Sequence, residues 1–399
     1  MEWEEHLRNT INLIAEAKKD YQQLIDNEGN PEHELEERVI SVEALDDVTP
    51  RPFSMNYFHT DRKIASLDSS TRYLRDLSVN TCIIGLAIYS NVKQFIVGPI
   101  NIKTPYMGIS SYIPFLKHIE SNLPTSLIRV KNKVDYYYVN ETGNEYKLDD
   151  IADELRTESE TVGLQEVIND HDYVVADGPV FPTPLELNKI MNFDTEARMM
   201  HRIAYGKLVN ERVQILNEKV VGVVKRLETS KKLYLVNEIK KMVGDLNSKD
   251  VTILEILDEK YCQSKGFPYV CLIGPFKIQY DLKVEFDGKI ILDNTPPKYS
   301  YYVIIRRNKM IYPTFLRLES VNDKMNEKPD SNEYLHVVLS SISEKTLLPT
   351  YIERVDKMSK KVTKSMFIYA YGIASGKLNI VHDDKLTYMK DINEQIGGR

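Results

Sequence analysis

Cysteine is scarce in this 399-residue chain: only Cys82, Cys262 and Cys271 occur. None forms a CxxC pair or stands at a Cys/His ligand spacing, which argues against a zinc site. So few thiols suit a reducing interior, and a cytoplasmic protein is expected. Long apolar runs are missing too, and nothing reaches the length needed to span a bilayer. The opening Met1-Glu2-Trp3-Glu4-Glu5-His6 is polar and acidic, so no secretory leader is expected. An excess of positive charge is also absent. The formal net charge is −7, which argues against a generally basic coat for nucleic acid but leaves room for a local basic channel. Repeats and low-complexity segments are lacking.

What is present is enough for a large core. The length suits two or three domains, or one large domain with insertions. Apolar content is ordinary at 42%. The many Lys, Glu, Ile and Tyr residues would suit a hot environment.

Helical spacing of Leu7, Ile11, Ile14, Ala17, Tyr21 and Leu24 predicts a helix from residue 3. Asn27 to Pro31 breaks it, and a second short helix is expected from Glu32 to Val42. Strands follow at Lys63–Leu67, 81–90 and 92–97. A short helix is expected at Phe115–Glu120, then strands at 126–130 and 134–139 with a turn at 140–144. Residues 148–169 read as a helix that is apolar on two faces, hence well buried. Asp172 to Val180 is another short apolar strand. Helices are expected from Thr183 to Met191 and from Asp194 to Val213. Lys219 to Arg226 is a buried-type strand ending in two bases. Residues 230–263 read as mostly helical, 267–318 as strands, and 350–362 as a helix. Phe367–Tyr371 reads as either strand or helix, and a polar tail follows.

The central stretch is Lys63-Ile64-Ala65-Ser66-Leu67-Asp68-Ser69-Ser70-Thr71-Arg72. Asp is depleted in strands, so Asp68 at the end of an apolar one needs a reason. One reason is a turn in which Asp and Ser bond their own backbone. The other is a metal ligand held on a rigid element. A second apolar strand ends in Asp177-Gly178, and a buried helix with Glu158 and Glu160 lies between the two. Asp356 follows on a late helix. Hard divalent cations require oxygen ligands, and carboxylates on neighbouring strands can bridge two ions that hydrolyse a phosphodiester. Strand, meander, helix, strand, with carboxylates at three of these points, is the layout of an α/β ribonuclease H-like mixed sheet with flanking helices. The histidines His59, His118, His171, His201 and His336 are scattered and read as surface or core residues.

Four segments resemble the NurA family of DNA-end-processing nucleases. Leu67-Asp68-Ser69-Ser70 resembles its opening Asp-Gly-Ser strand end, with Ser69 where Gly is usual. Ala176-Asp177-Gly178-Pro179 is similar to its second Asp-Gly motif. Val220-Val221-Gly222-Val223-Val224-Lys225-Arg226 closely resembles its Val-x-Gly-Val-Val-Lys strand. Leu348 to Asp356 resembles its late Tyr-Pro…Ala-His segment. There the family's Tyr falls on Leu348 and its His on Asp356, and Asp can still ligate a cation.

The resemblance implies a site of Asp68, Glu160, Asp177 and Asp356 holding two Mn2+ (or Mg2+) ions. The family's interval back from Asp177 favours Glu160, whereas helical facing with Ile151 and Leu155 favours Glu158; Glu160 is preferred. The resemblance further implies a homodimer with a central channel. It implies single-strand endonuclease and 5′–3′ exonuclease activity on DNA, in end resection and double-strand break repair with a HerA-type hexameric ATPase. Arg72, Arg75, Lys225 and Arg226 are expected to line the channel. The implied layout is an N-terminal helical arm at 1–50, a nuclease domain at 51–375 with insertions near 100–147 and 230–290, and a tail at 376–399. Two alternatives remain open at this stage. One is a catalytically weak adaptor that binds DNA and docks on the motor. The other is a different phosphoesterase or polynucleotidyl transferase of the same fold.

Overall fold

The computed structural model describes residues 40–54, 61–76, 79–93, 95–111, 127–132, 146–191, 195–244 and 247–397. The expected helix at residues 3–26, the short helix at Phe115–Glu120, the strand at 134–139 and the turn after it lie outside these.

One mixed sheet of twelve strands runs through the molecule. At its centre, β3 (Ile64–Arg75) pairs antiparallel with β4 (Val79–Ser90). On β4 lie β5 (Ile96–Gly98) and β6 (Met107–Ser111), and β7 (Ile128–Asn132) pairs parallel with β6. Helix α1 (Leu148–Val167) crosses to β8 (Tyr173–Asp177), which lies parallel to β3. Helix α2 (Glu196–Ile215) leads to β9 (Val220–Val224), parallel to β8. The sheet then widens through β14 (Thr314–Ser320), β13 (Lys298–Arg306), β10 (Tyr269–Tyr280) and β1 (Ile40–Ala44), with β2 (Arg51–Pro52) also on β10. A separate hairpin joins β11 (Val284–Phe286) to β12 (Lys289–Leu292). Helices α3 (Asn237–Val243), α4 (Asp250–Leu257), α5 (Glu333–Leu339), α6 (Thr350–Ala374) and α7 (His382–Gly397) complete the set described. The architecture is therefore α/β, with a large mixed sheet flanked by helices, as the sequence predicts.

Alternation along the central strands divides the core. Ala65, Leu67, Val174 and Ala176 face one side and pack with Leu164 and Val167 of α1. Ile64, Val175, Val221 and Val223 face the other side and pack with Leu335, Val338 and Ile352. Both faces of β8 and β9 are covered, which is why these strands read as continuous apolar runs. Full burial of each such side chain stabilises by roughly 2 kcal/mol.

Several local expectations differ from the structure. Residues from Ile40 form strand β1 instead of the end of a helix, because the sheet edge of β10 offers ladder partners from Phe276 to Tyr280. Asp68 is not at a strand end: β3 continues to Arg75, its ladder to β4 unbroken from Ala65 to Arg75. Thr183–Met191 holds only a short turn at Leu185–Leu187. The strand expected over 92–97 covers only Ile96–Gly98. Phe367–Tyr371 belongs to α6, which runs twelve residues beyond the expected end at 362. The polar tail folds as α7, anchored by Asp384 and Asp391, which are buried against Arg75 and Arg72 of β3.

A candidate metal centre

The parallel ladder of β3 and β8 runs from Ile64–Tyr173 to Leu67–Ala176. Asp68 and Asp177 are the next residue on each strand, so they stand side by side where the pair ends. Side chains of β3 alternate across the sheet. Ser66, Asp68 and Ser70 reach α6: Ser66 Oγ donates to the Tyr351 carbonyl at 3.1 Å, and Ser70 Oγ contacts Thr363 Oγ1 at 3.1 Å. Ser359 Oγ donates to Asp68 Oδ2 at 2.5 Å. Ser69 points the other way and donates to Glu160 Oε1 of α1 at 2.5 Å, with Arg156 Nε 3.3 Å from the same hydroxyl.

Asp356 enters from α6. Carboxylate oxygens of Asp68, Asp177 and Asp356 all lie within 4.8 Å of one another. Glu160 approaches from the α1 side and is not within that distance of all three. Its charge nevertheless acts on Asp68 and Asp177. Glu158, the alternative, points away and pairs with Arg129 of β7.

Burial pushes the Asp68 carboxyl up to about 7, helped by the charge of Asp177 and opposed by the Ser359 hydrogen bond. Burial likewise pushes Asp177 up to about 6, although Lys225 works against the rise. Lys225 Nζ lies 2.6 Å from Asp177 Oδ2 and 3.3 Å from Asp356 Oδ1. Burial also opposes the charge of Asp356, but Lys360 and Lys225 outweigh it and hold that group below the usual carboxylate range.

Gly178 is why the second motif reads Asp-Gly: its φ of 127° is one that side chains resist. Gly222 on β9, next to the Val223 that bridges to Gly178, lets the Gly178–Val180 backbone come close. A Cβ there would stand 2.6 Å from the Gly178 carbonyl oxygen. Glu319, fully buried, accepts from Val180 N at 3.0 Å and fixes the loop from below.

The expected channel bases separate into three settings. Arg72 and Arg75 are tied to α7. Lys225 points into the carboxylates. Arg226 is exposed at the end of β9. The sequence reading missed Ser359 and Arg156. Helical spacing held the clue: Ser359 is three residues after Asp356, and Arg156 is four before Glu160.

A second group, Asp150, Glu186 and His201, also brings ligand atoms within 4.8 Å. Cations already serve it. Arg198 bonds Asp150, Lys131 pairs with Glu154 at 2.7 Å, and His201 Nδ1 meets Glu154 at 2.7 Å. Burial opposes the imidazolium, but Glu154 and Glu186 outweigh it and hold His201 up to about 9. A protonated His201 leaves this cluster balanced as an ion network between α1 and α2. Two other described histidines are engaged elsewhere: His171 meets Ser90 and the Val167 carbonyl, and His336 meets the Asp330 carbonyl.

At the first group the donor set fits a hard divalent cation. It is all oxygen, three carboxylates crowd together, and burial, with the charge of neighbouring carboxylates, raises two of them in pKa. The fold and this site define an α/β protein with a cluster of carboxylates where two parallel strands part. A NurA domain model matches residues 62–360. The chain belongs to the NurA family.

No curated relative matches the sequence. Among solved structures, the chain is similar to the NurA nuclease from Sulfolobus solfataricus, at 12% identity, TM-score 0.43, and 92% and 93% coverage of this chain and that one. It is similar to a NurA with manganese at 8% identity and TM-score 0.35, covering 92% and 98%. It is also similar to a NurA bound to dAMP and manganese, at 8% identity and TM-score 0.31, covering 88% and 92%. The family assignment rests on the domain match and not on these distant likenesses. Among the described residues no helix is long and apolar enough to cross a membrane.

Proposed function

We propose that this chain is a divalent-metal-dependent deoxyribonuclease with a ribonuclease H-like centre. The observation that carries the reading is the convergence of Asp68, Asp177 and Asp356 within 4.8 Å from two strands and a helix distant in sequence. Glu160 completes the set from α1.

Bound divalent cations supply water activation and offset charge on the phosphate and leaving oxygens. The protein's part is positioning. Asp68 and Asp177 are carried on rigid neighbouring strands, and Ser359 fixes the Asp68 carboxylate. Ser69 and Arg156 hold Glu160. Lys225 favours the ionised forms of Asp177 and Asp356. Arg226, exposed beside the site, meets the DNA backbone, and such contacts make binding salt-sensitive. No side-chain nucleophile is required.

The family resemblance extends the proposal. The chain cuts single-stranded DNA and degrades duplex ends 5′–3′ as a homodimer, in end resection and double-strand break repair in the cytoplasm. A HerA-type hexameric ATPase supplies much of the grip on DNA, which suits an acidic chain.

Labelled single-stranded and blunt duplex DNA, incubated with Mn2+, Mg2+ or chelator, tests the reading. Cleavage is expected with metal, lost with chelator, and lost in Asp68→Ala and Asp177→Ala. If folded wild type cuts nothing under any metal, with or without the ATPase, the nuclease proposal fails and the DNA-binding adaptor takes its place.

A further inference from the structure

Lys225 occupies an unusual position for a basic residue at a strand end. Its side chain is only 23% exposed. Strand β9 runs on past the end of β8 and delivers the ammonium between Asp177 and Asp356. Burying an ammonium is costly unless carboxylates surround it. Here two do, and their oxygens are donors that a second cation would need.

Charge counting points the same way. Fully ionised, as ligands to a cation must be, Asp68, Asp177, Asp356 and Glu160 bring four negative charges to the site. Lys225 and Arg156 bring two positive charges from partly buried positions, the charge of Arg156 acting on Asp68 and Glu160, and the buried Arg212 brings a third that acts on Glu160. Lys360 also touches Asp356, but its side chain is 61% exposed and solvent screens it. The one remaining negative charge is satisfied by a single divalent ion. A second would leave the resting pocket with an excess of three positive charges.

We propose that the Lys225 ammonium stands in for the second cation, so that the resting chain takes one divalent ion at Asp68, Asp177 and Asp356. The inference rests on the metal-dependent reading above and changes the number of ions expected at the site. Lys225 is thereby a positioning residue: it touches ligands, and neutralises the flank between Asp177 and Asp356.

Mn2+ titration of the full chain tests this. Electron paramagnetic resonance of the free ion counts the bound ions without reference to cleavage. Wild type is expected to bind one Mn2+ per chain. Lys225→Met, which keeps the bulk and removes the charge, is expected to bind two, with the second tightened by about tenfold or more. Lys225→Arg is expected to bind one. Two ions of similar affinity on wild type would overturn the inference and leave the nuclease reading intact. An unchanged count of one in a folded Lys225→Met would also overturn it. No Mn2+ bound to folded wild type would overturn both readings, and the wild-type count decides even if the variant does not fold.

Discussion

Replacing Gly222 by alanine tests whether the approach of β9 to the loop after Asp177 sets the geometry of the site. The added Cβ would lie 2.6 Å from Gly178 O, 2.7 Å from Val180 N and 3.1 Å from Pro179 C. Ordinary contact begins at 3.4 Å, so the loop must retreat by about 0.8 Å. All three atoms are backbone and have no rotamer to change. The loop is also pinned: Gly178 N donates to Val223 O at 3.0 Å, and Val180 N donates to Glu319. Overpacking of this kind costs about 1–3 kcal/mol. A displacement near 1 Å at a ligand-bearing backbone lowers a positioned reaction by about 100-fold. Gly372→Ala is the control, because its Cβ would meet nothing within 4 Å. In a helix that change is expected to stabilise by about 0.5–1 kcal/mol. Chemical unfolding and Mn2+-dependent cleavage are measured on both variants, with Mn2+ binding as a third readout. A Gly222→Ala protein with wild-type midpoint, metal affinity and cleavage would refute the argument.

Three further outcomes are expected. Ser359→Ala removes the hydroxyl that fixes Asp68 and should weaken Mn2+ binding by about tenfold; a titration that shows no change refutes the positioning role. His201, at about 9 in the folded protein against an ordinary 6.5, contributes stability that is fully present below pH 6.5 and is lost as pH rises through 9. That contribution is about 3 kcal/mol at most, so the gap in urea midpoint between wild type and His201→Gln should shrink between pH 7 and 10, and a constant gap would contradict it. Lys298→Met strips the fully buried Glu319 of one cation, 3.0 Å away, and should cost about 3–5 kcal/mol in unfolding free energy; a loss under 1 kcal/mol would mean Arg317 alone suffices for Glu319.

The central fold was legible because its signals are local. β8 and β9 are buried on both faces, so Tyr173–Asp177 and Val220–Val224 stand out as apolar runs. The two-faced burial of α1 was visible in Ile151, Leu155, Leu164 and Val167 for the same reason. The misreadings fall where partners are remote. β1 is a strand because β10, more than 200 residues later, pairs with it. α7 looks like a polar tail because Asp384 and Asp391 hide among its charges, yet they are buried only when β3 presents Arg75 and Arg72.

The site shows the same limit more sharply. Asp68 and Asp177 could be singled out because an acid on an apolar strand is locally anomalous. A lysine after an apolar strand is not anomalous, and Lys225 reads as a solvated end or a contact for DNA. Its neighbours, Asp177 and Asp356, lie 48 and 131 residues away. Only the parallel register of β8 with β9, together with the packing of α6, brings the three charges together. The family's interval favoured Glu160 over Glu158, but where each carboxylate lies is the same kind of fact. Two residues apart on a helix point about 200° apart, so one meets Ser69 of β3 and the other Arg129 of β7. Sequence spacing named the candidates, but which one reaches β3 beside Asp68 depends on the rotation of α1 against the sheet. That rotation is set by Ile151, Leu155, Leu164 and Val167, and not by either glutamate.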